Sequence, residues 1–331
     1  MASQKKINWL LILQGWAMLW VVVGHSPIGE AGHGPVWENA LYHFAYSFHM
    51  PLFMLVSGWL FYLTRLSESG LSGGGRKWSF SAIVKDKAIR LLLPGLVFSI
   101  FALALKLAFP GEMSRQTGLN LQELTHAYLY PYDNPMRELW FIITLFWLML
   151  LAPLWKLILS DRWSKWIVLF VLAAFHFVHP EIELLCIDRV FNHAIWFYLG
   201  LLICEVGIVE NVFEKGKWLT LILGVATFFV GKFIDPFLIT MGGILFSFGL
   251  SLIADRYIPR LFCGFRNYTY QIFLMGIFVQ IAVKIAYRNI EMPYMLAFVL
   301  CIVVGLYVPV LISKIIEKIN WKPLKLCVGL K

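Results

Sequence analysis

Apolar side chains run along this chain in long blocks rather than in stripes. Ten blocks are nearly free of charge: roughly residues 7–27, 44–64, 89–109, 139–159, 166–179, 190–209, 218–234, 237–254, 268–287 and 293–316. A helix crossing a hydrocarbon core of about 30 Å needs about 20 apolar residues, and about 17 at the least. The pattern therefore predicts an all-α, polytopic integral membrane protein of about ten transmembrane helices. The fifth block is the shortest, and the division between the seventh and eighth rests on one polar patch from Lys232 to Pro236. The connections are short. The longest, residues 65–86 and 110–138, have room for a small helix each but not for a soluble domain, so residues 1–331 read as a single transmembrane domain. The glycine-rich piece 70–75 has no phosphate-binding spacing and reads as a loop. No internal repeat is visible, direct or inverted, which counts against a secondary-transporter plan.

The first block opens on Lys5-Lys6, as a secretory signal would. Its apolar run is nevertheless longer than the roughly 7–15 residues of a signal core, and Gly24-His25-Ser26-Pro27 is no small-x-small cleavage site. It reads as a retained first helix. Ten spans place both termini on one side, and basic residues choose the side. The segments assigned to the cytoplasm hold 21 of the 28 Lys and Arg, and the opposite segments hold 7. An excess of Lys and Arg on short loops marks the cytoplasmic face, so both termini are expected inside.

Composition agrees with the pattern. Of 331 residues 60% are hydrophobic and 14% charged, with a mean hydropathy of +0.74. Soluble domains carry about 45–50% apolar and about 25% charged residues. A soluble enzyme, a disordered tail, a disulfide scaffold and a nucleic-acid module are all excluded. The formal charge of +9 follows from loop asymmetry and needs no polyanionic partner. The five cysteines form no CxxC pair and no zinc spacing, so neither a disulfide framework nor a metal site is expected.

Polar side chains at membrane depth are costly and are functional candidates by default. In the first helix these are Gln14 and His25. Eleven residues at about 100° each return to within about 20° of whole turns, so the two share a face about 16 Å apart along the axis. They would form one wall of a polar channel, although helix packing and an interfacial histidine explain them equally well. The second helix reads Phe48-His49-Met50-Pro51-Leu52-Phe53, then Ser57-Gly58. His49 lies at a depth similar to His25, and two such histidines can handle a proton near neutral pH. Pro51 frees a backbone carbonyl that something nearby must satisfy, while Ser57-Gly58 lets a neighbouring helix approach closely. Lys87 and Arg90 are three apart and share a helical face, a suitable cradle for phosphates. Ordinary positive-inside anchoring is the alternative, and taken alone the commoner one. Arg137-Glu138-Leu139-Trp140 opens the fourth span as an interfacial belt would, and His193 in the sixth has the same reading. His33, His43, His126, His176 and His179 receive no role.

In this order the motifs resemble the acyltransferase 3 family of bacterial inner-membrane acyltransferases, which modify sugars of surface glycans. The family's basic residue, ten positions, then Val-Val-x-Gly-His is matched by Gln14-Gly15…Val22-Val23-Gly24-His25. Its Phe-His-x-Pro-Leu-Phe…Ser-Gly-x-Leu-Phe appears between Phe48 and Phe61, where the chain is especially similar to the fucose O-acetyltransferase branch. Its basic-x-x-Arg pair before Leu-Leu-x-Pro appears as Lys87 and Arg90, its Leu-Trp-Phe at 139–141 and its Phe-Tyr-Leu-Gly at 197–200. Two positions depart from the pattern. Gln14 replaces a basic residue, and Gly276 replaces a histidine in the late Thr269–Met275 motif.

The resemblance implies a multi-pass protein of the bacterial inner membrane that transfers an acyl group from acyl-CoA, acetyl-CoA above all, to a sugar hydroxyl of a glycan or lipid-linked acceptor. No bound cofactor and no metal are expected, and dimerisation stays open. Lys87 and Arg90 would hold the donor's phosphates and Gln14 would line its path. His25 would be the general base and His49 a second acid/base, with Ser57, Glu138 and Trp140 beside the acceptor or channel. Two other readings stay open: a flippase for a lipid-linked sugar, and a non-catalytic family member that assists a polysaccharide synthase.

Overall fold

The computed structural model describes residues 2–29, 34–67, 79–109, 120–178 and 180–330. The glycine-rich piece 70–75, His33 and His179 lie outside the described residues. Among those described, the regular elements are all helical. In chain order the α-helices are α1 (Ala2–Gly24), α2 (Val36–Phe61), α3 (Phe80–Lys87), α4 (Leu93–Ala108), α5 (Leu121–Leu129), α6 (Leu139–Leu150), α7 (Ala152–Ser160), α8 (Ser164–Phe177), α9 (Ile187–Val206), α10 (Lys217–Ile234), α11 (Pro236–Tyr257), α12 (Thr269–Asn289), α13 (Tyr294–Ile319) and α14 (Lys322–Cys327). Each of the ten apolar blocks falls on one or two of them. Among the described residues seven helical segments are both long and apolar enough to cross a membrane: Val36–Leu66, Phe80–Ala108, Leu184–Val206, Lys217–Ile234, Pro236–Tyr257, Arg266–Asn289 and Tyr294–Ile319, with α6 and α7 an eighth if the bent pair is one span. Asn8–Gly24 and Ser164–Phe177 are shorter apolar helices.

The fourth block departs from expectation. Instead of one continuous span over 139–159, the chain bends by 52° between α6 and α7. Leu151 leaves the helical region with ψ 12°, and Pro153 stands in the first turn of α7. Proline has no N–H to give the preceding turn, and its ring clashes with the carbonyl four residues back. The small helix expected in 110–138 is α5, closed at its start by the Asn120 side chain, which accepts from the Glu123 N–H.

Chain contacts group into two units. One comprises Met1–Val56 with Gly207–Asn320, and the other Ser57–Val206 with Trp321–Lys331. The first is built around α1, whose residues 8–24 are all buried or half-buried, as expected of a helix with neighbours all round. Met18, Val21 and Val22 pack with Phe265, Ile272, Leu306 and Val310. Towards the end of α1, Val23 and Ile28 pack with Ala297, Phe298 and Cys301. Pro51, inside α2, has the expected effect. The carbonyl of Ser47, four residues before it, accepts instead from the Thr240 hydroxyl on α11 at 2.7 Å.

The second unit packs Trp155 against Phe197 and Tyr198. Its indole N–H donates to the Leu148 carbonyl at 2.7 Å, and the Tyr198 hydroxyl donates to the Lys165 carbonyl at 2.8 Å. Gly58 has the role expected of it. A Cβ there would stand 2.0 Å from the Phe197 carbonyl oxygen, so only glycine admits α9 so close to the end of α2.

Candidate active site

His25 follows the last residue of α1, and its N–H still bonds the Val21 carbonyl at 3.1 Å. The helix is unbroken from Gln14 onward, so the shared face expected for Gln14 and His25 is retained. Both are half-buried. Among the described residues Gln14 makes no hydrogen bond. The His25 ring lies 6.2 Å from the ring of Tyr46. Gly24 allows that approach, because a Cβ on it would meet Tyr46 Cε2 at 3.0 Å.

His49 is 2% exposed, and its Nδ1 stands 2.6 Å from the Ala45 carbonyl. A carbonyl only accepts, so Nδ1 carries the hydrogen and Nε2 keeps its lone pair. The Tyr46 ring is 4.9 Å from His49 and meets it edge to face. The two histidines predicted at matched depth therefore border one tyrosine.

A second set of polar groups around His25 comes from α12, and sequence reasoning did not single it out. Gln280, buried, donates to the Val22 carbonyl at 2.9 Å and to the Ser26 hydroxyl at 3.0 Å. One turn on, Lys284 Nζ donates to the His25 carbonyl at 3.0 Å. The last carbonyls of a helix have no partner within it and carry its negative dipole end, so a lysine is well placed there. Glu38, 1% exposed, supplies an opposite charge near Lys284. Its carboxylate oxygens lie 2.8 and 2.7 Å from the Tyr294 hydroxyl. The available signal was Lys284 itself, a charge inside an apolar block with a glutamine four residues before it.

Lys87 and Arg90 both lie in the second unit. Arg90 Nε donates to Asp86 at 2.8 Å, and Arg65 pairs with the same carboxylate. Lys87 Nζ stands 5.5 Å from the centre of the Phe61 ring. Each arginine lies in a π turn, Arg65 in Tyr62–Leu66 and Arg90 in Ala88–Leu92. Such wide turns often mark functional positions. Arg65 is thus a third cation that the motif did not include. Ser57 is half-buried.

Glu138 precedes α6 and makes no side-chain cap. Trp140 belongs to a separate cluster. Its ring is 5.3 Å from His193 and 5.5 Å from the Arg189 guanidinium. Arg189 donates to the Tyr132 hydroxyl, which donates in turn to Asp188 at 3.3 Å. Burial pushes the Tyr132 phenol well above its ordinary range although Arg189 opposes the shift.

A family model described as an acyltransferase domain matches residues 7–314. Nodulation protein NolL of Mesorhizobium japonicum is 29% identical over 209 residues, which are 61% of this chain and 49% of that protein. The chain thus spans about half the length of that relative. No solved structure matches it. With the family match running from α1 into α13, across all seven long apolar helices, the chain belongs to the acyltransferase 3 family of multi-pass membrane proteins.

Proposed function

We propose that this protein is a membrane O-acyltransferase that moves an acyl group, acetyl above all, from cytoplasmic acyl-CoA to a sugar hydroxyl of a surface or exported glycan. It does so in the bacterial inner membrane, with ten spans and both termini in the cytoplasm. Lys87 and Arg90, joined by Arg65, hold the phosphates of the donor, since guanidinium and ammonium groups pair well with phosphate oxygens. Gln14 offers the donor a neutral hydrogen bond where relatives place a charge. His25 takes the proton of the sugar hydroxyl as its oxygen attacks the thioester carbonyl. The carbon–sulfur bond then breaks, the ester forms, and the proton leaves with the CoA thiol. His49, with its free Nε2, orients the acceptor or relays that proton. Ser57, Glu138 and Trp140 stay as candidate contacts of the acceptor path.

The observation that carries the reading is the setting of His25. Its backbone is fixed from two sides by Val21 and Lys284, while the residue stays only half-buried, its ring 6.2 Å from that of Tyr46, which also borders His49. A general base has to be both held and reachable.

A non-catalytic member that assists a glycan synthase is the second reading, and Gly276 favours it. The family's histidine is absent there, and a Cβ would stand 3.1 Å from the Gly305 carbonyl oxygen, so α12 and α13 close over the place. One assay separates the readings: purified protein in liposomes with labelled acetyl-CoA and glycan acceptors. CoA release stimulated by the acceptor, with label on the glycan, is the expected result. Vectorial glycan movement without CoA use overturns it in favour of a flippase, and neither outcome in favour of the helper.

A further inference from the structure

Tyr46 combines two properties that rarely coincide. Its ring is fixed on several sides: by the Cα surface of Gly24, by the edge of His49 at 4.9 Å, and by Tyr42, one turn earlier, at 4.4 Å and 38°. Yet Tyr46 is 43% exposed, beside the ring of His25 at 6.2 Å. Tyr42, Tyr46 and His49 are spaced four and three apart and so lie on one face of α2. An aromatic ring that is already immobilised offers contact area with little entropy left to lose on binding. A pyranose ring has an apolar face of C–H groups, slightly positive at hydrogen, that complements the negative face of an aromatic ring. Its hydroxyls project from the ring edge. Seated on Tyr46, a sugar would expose one of them to His25.

We propose that Tyr46, backed by Tyr42, is the platform on which the pyranose ring of the acceptor stacks, so that one ring hydroxyl is delivered to His25. The inference rests on the acyl-transfer reading above and adds the acceptor's subsite to it. It also explains the glycine before the histidine. Gly24 is small because the ring of Tyr46 occupies the space a side chain would take, and any larger residue would move the platform away from the base.

The test uses the full chain in liposomes with labelled acetyl-CoA, and compares methyl pyranosides (fucose, rhamnose, glucose) with the matching ring-opened alditols. The alditols keep the hydroxyls and lose the flat apolar face. Tyr46→Phe keeps the ring and should keep the wild-type preference for the pyranosides over the alditols. Tyr46→Ala should raise KM for the pyranosides about tenfold, with kcat within about twofold and KM for the alditols unchanged. Tyr46→Leu, which fills the same space without a π face, gives the same answer if the alanine variant is poorly folded. Unchanged pyranoside KM in Tyr46→Ala and Tyr46→Leu, or an equal loss on both acceptor types, overturns the platform and leaves acyl transfer standing. A wild-type protein that acetylates none of the pyranosides overturns the acyl-transfer reading and the platform with it.

Discussion

Two polar clusters of this molecule, one in each unit, are built in opposite ways. Around His25 and His49, side chains are tied to backbone. His49 bonds the Ala45 carbonyl, Gln280 the Val22 carbonyl and Lys284 the His25 carbonyl. Around Asp86, charges are tied to one another. Arg65 and Arg90 share one carboxylate, and the Arg90 side chain is 51% exposed. Backbone partners in a dry setting fix a geometry to within a fraction of an ångström, because the alternative is an unsatisfied buried group. The Arg65 and Asp86 side chains are 14% and 21% exposed, so it is the outer, Arg90 half of the cluster that is screened by solvent and exchanges partners readily. The first design suits proton transfer, which needs fixed atoms. The second suits the capture and release of a charged ligand.

That contrast can be broken at four places, in falling order of effect. Replacing His25 with Ala should lower acyl transfer about 10²- to 10⁴-fold, the usual worth of a positioned general base, while the protein stays inserted and folded by size-exclusion chromatography. Lys284→Met should come next. Removing the donor of a bonded carbonyl costs about 1–3 kcal/mol, and here the loss should appear as about a tenfold drop in kcat at constant KM for acyl-CoA, largely rescued in Lys284→Arg. A fall in KM and kcat alike would show that Lys284 does not act through His25.

Thr240→Val should cost about 1 kcal/mol in thermal unfolding, because it leaves the Ser47 carbonyl without its partner. In a Pro51→Ala background the cost should vanish, since residue 51 then supplies the missing N–H. Equal costs in both backgrounds would show that Thr240 stabilises by packing alone. The smallest effect belongs to Asp86→Asn. Freed of their shared anion, Arg65 and Arg90 should bind donor phosphates somewhat better, so KM for acyl-CoA should fall about threefold. A rise would mean that Asp86 positions the arginines for the ligand rather than competing with it.

Much of this architecture was legible in the chain itself, and the exceptions have physical causes. Every apolar block became helix because a membrane leaves an isolated segment no other way to satisfy its backbone. Pro51 announced an orphan carbonyl and Gly58 a close neighbour, since both follow from one residue's own chemistry. The bend at Leu151 was hidden because hydropathy averages over windows, and Pro153 changes the backbone without changing the average. His25 and His49 stood out as polar residues in apolar blocks. Lys284 is a polar residue in an apolar block as well, but its role escapes a local reading. Its partner, the His25 carbonyl, is 259 residues away. Contacts of that range depend on which helices become neighbours, and no local pattern carries that information. Arg65 escaped for a similar reason, because Asp86, 21 residues later, is what makes it part of a cluster.

The π turn at Ala88–Leu92 holds one residue more than an α-helical turn would, and so it sets an angular phase between α3 and α4. Deleting a single residue there would leave composition, net charge and hydropathy profile almost untouched. The helix would become continuous and α-helical throughout, yet Asp86 and Lys87 would swing by about 100° relative to α4. The same amino acids would then point their charges at a different wall. In a protein whose charges are this scarce, a one-residue insertion thus works as a setting for direction, and a variant that lost it would be well folded and wrongly aimed.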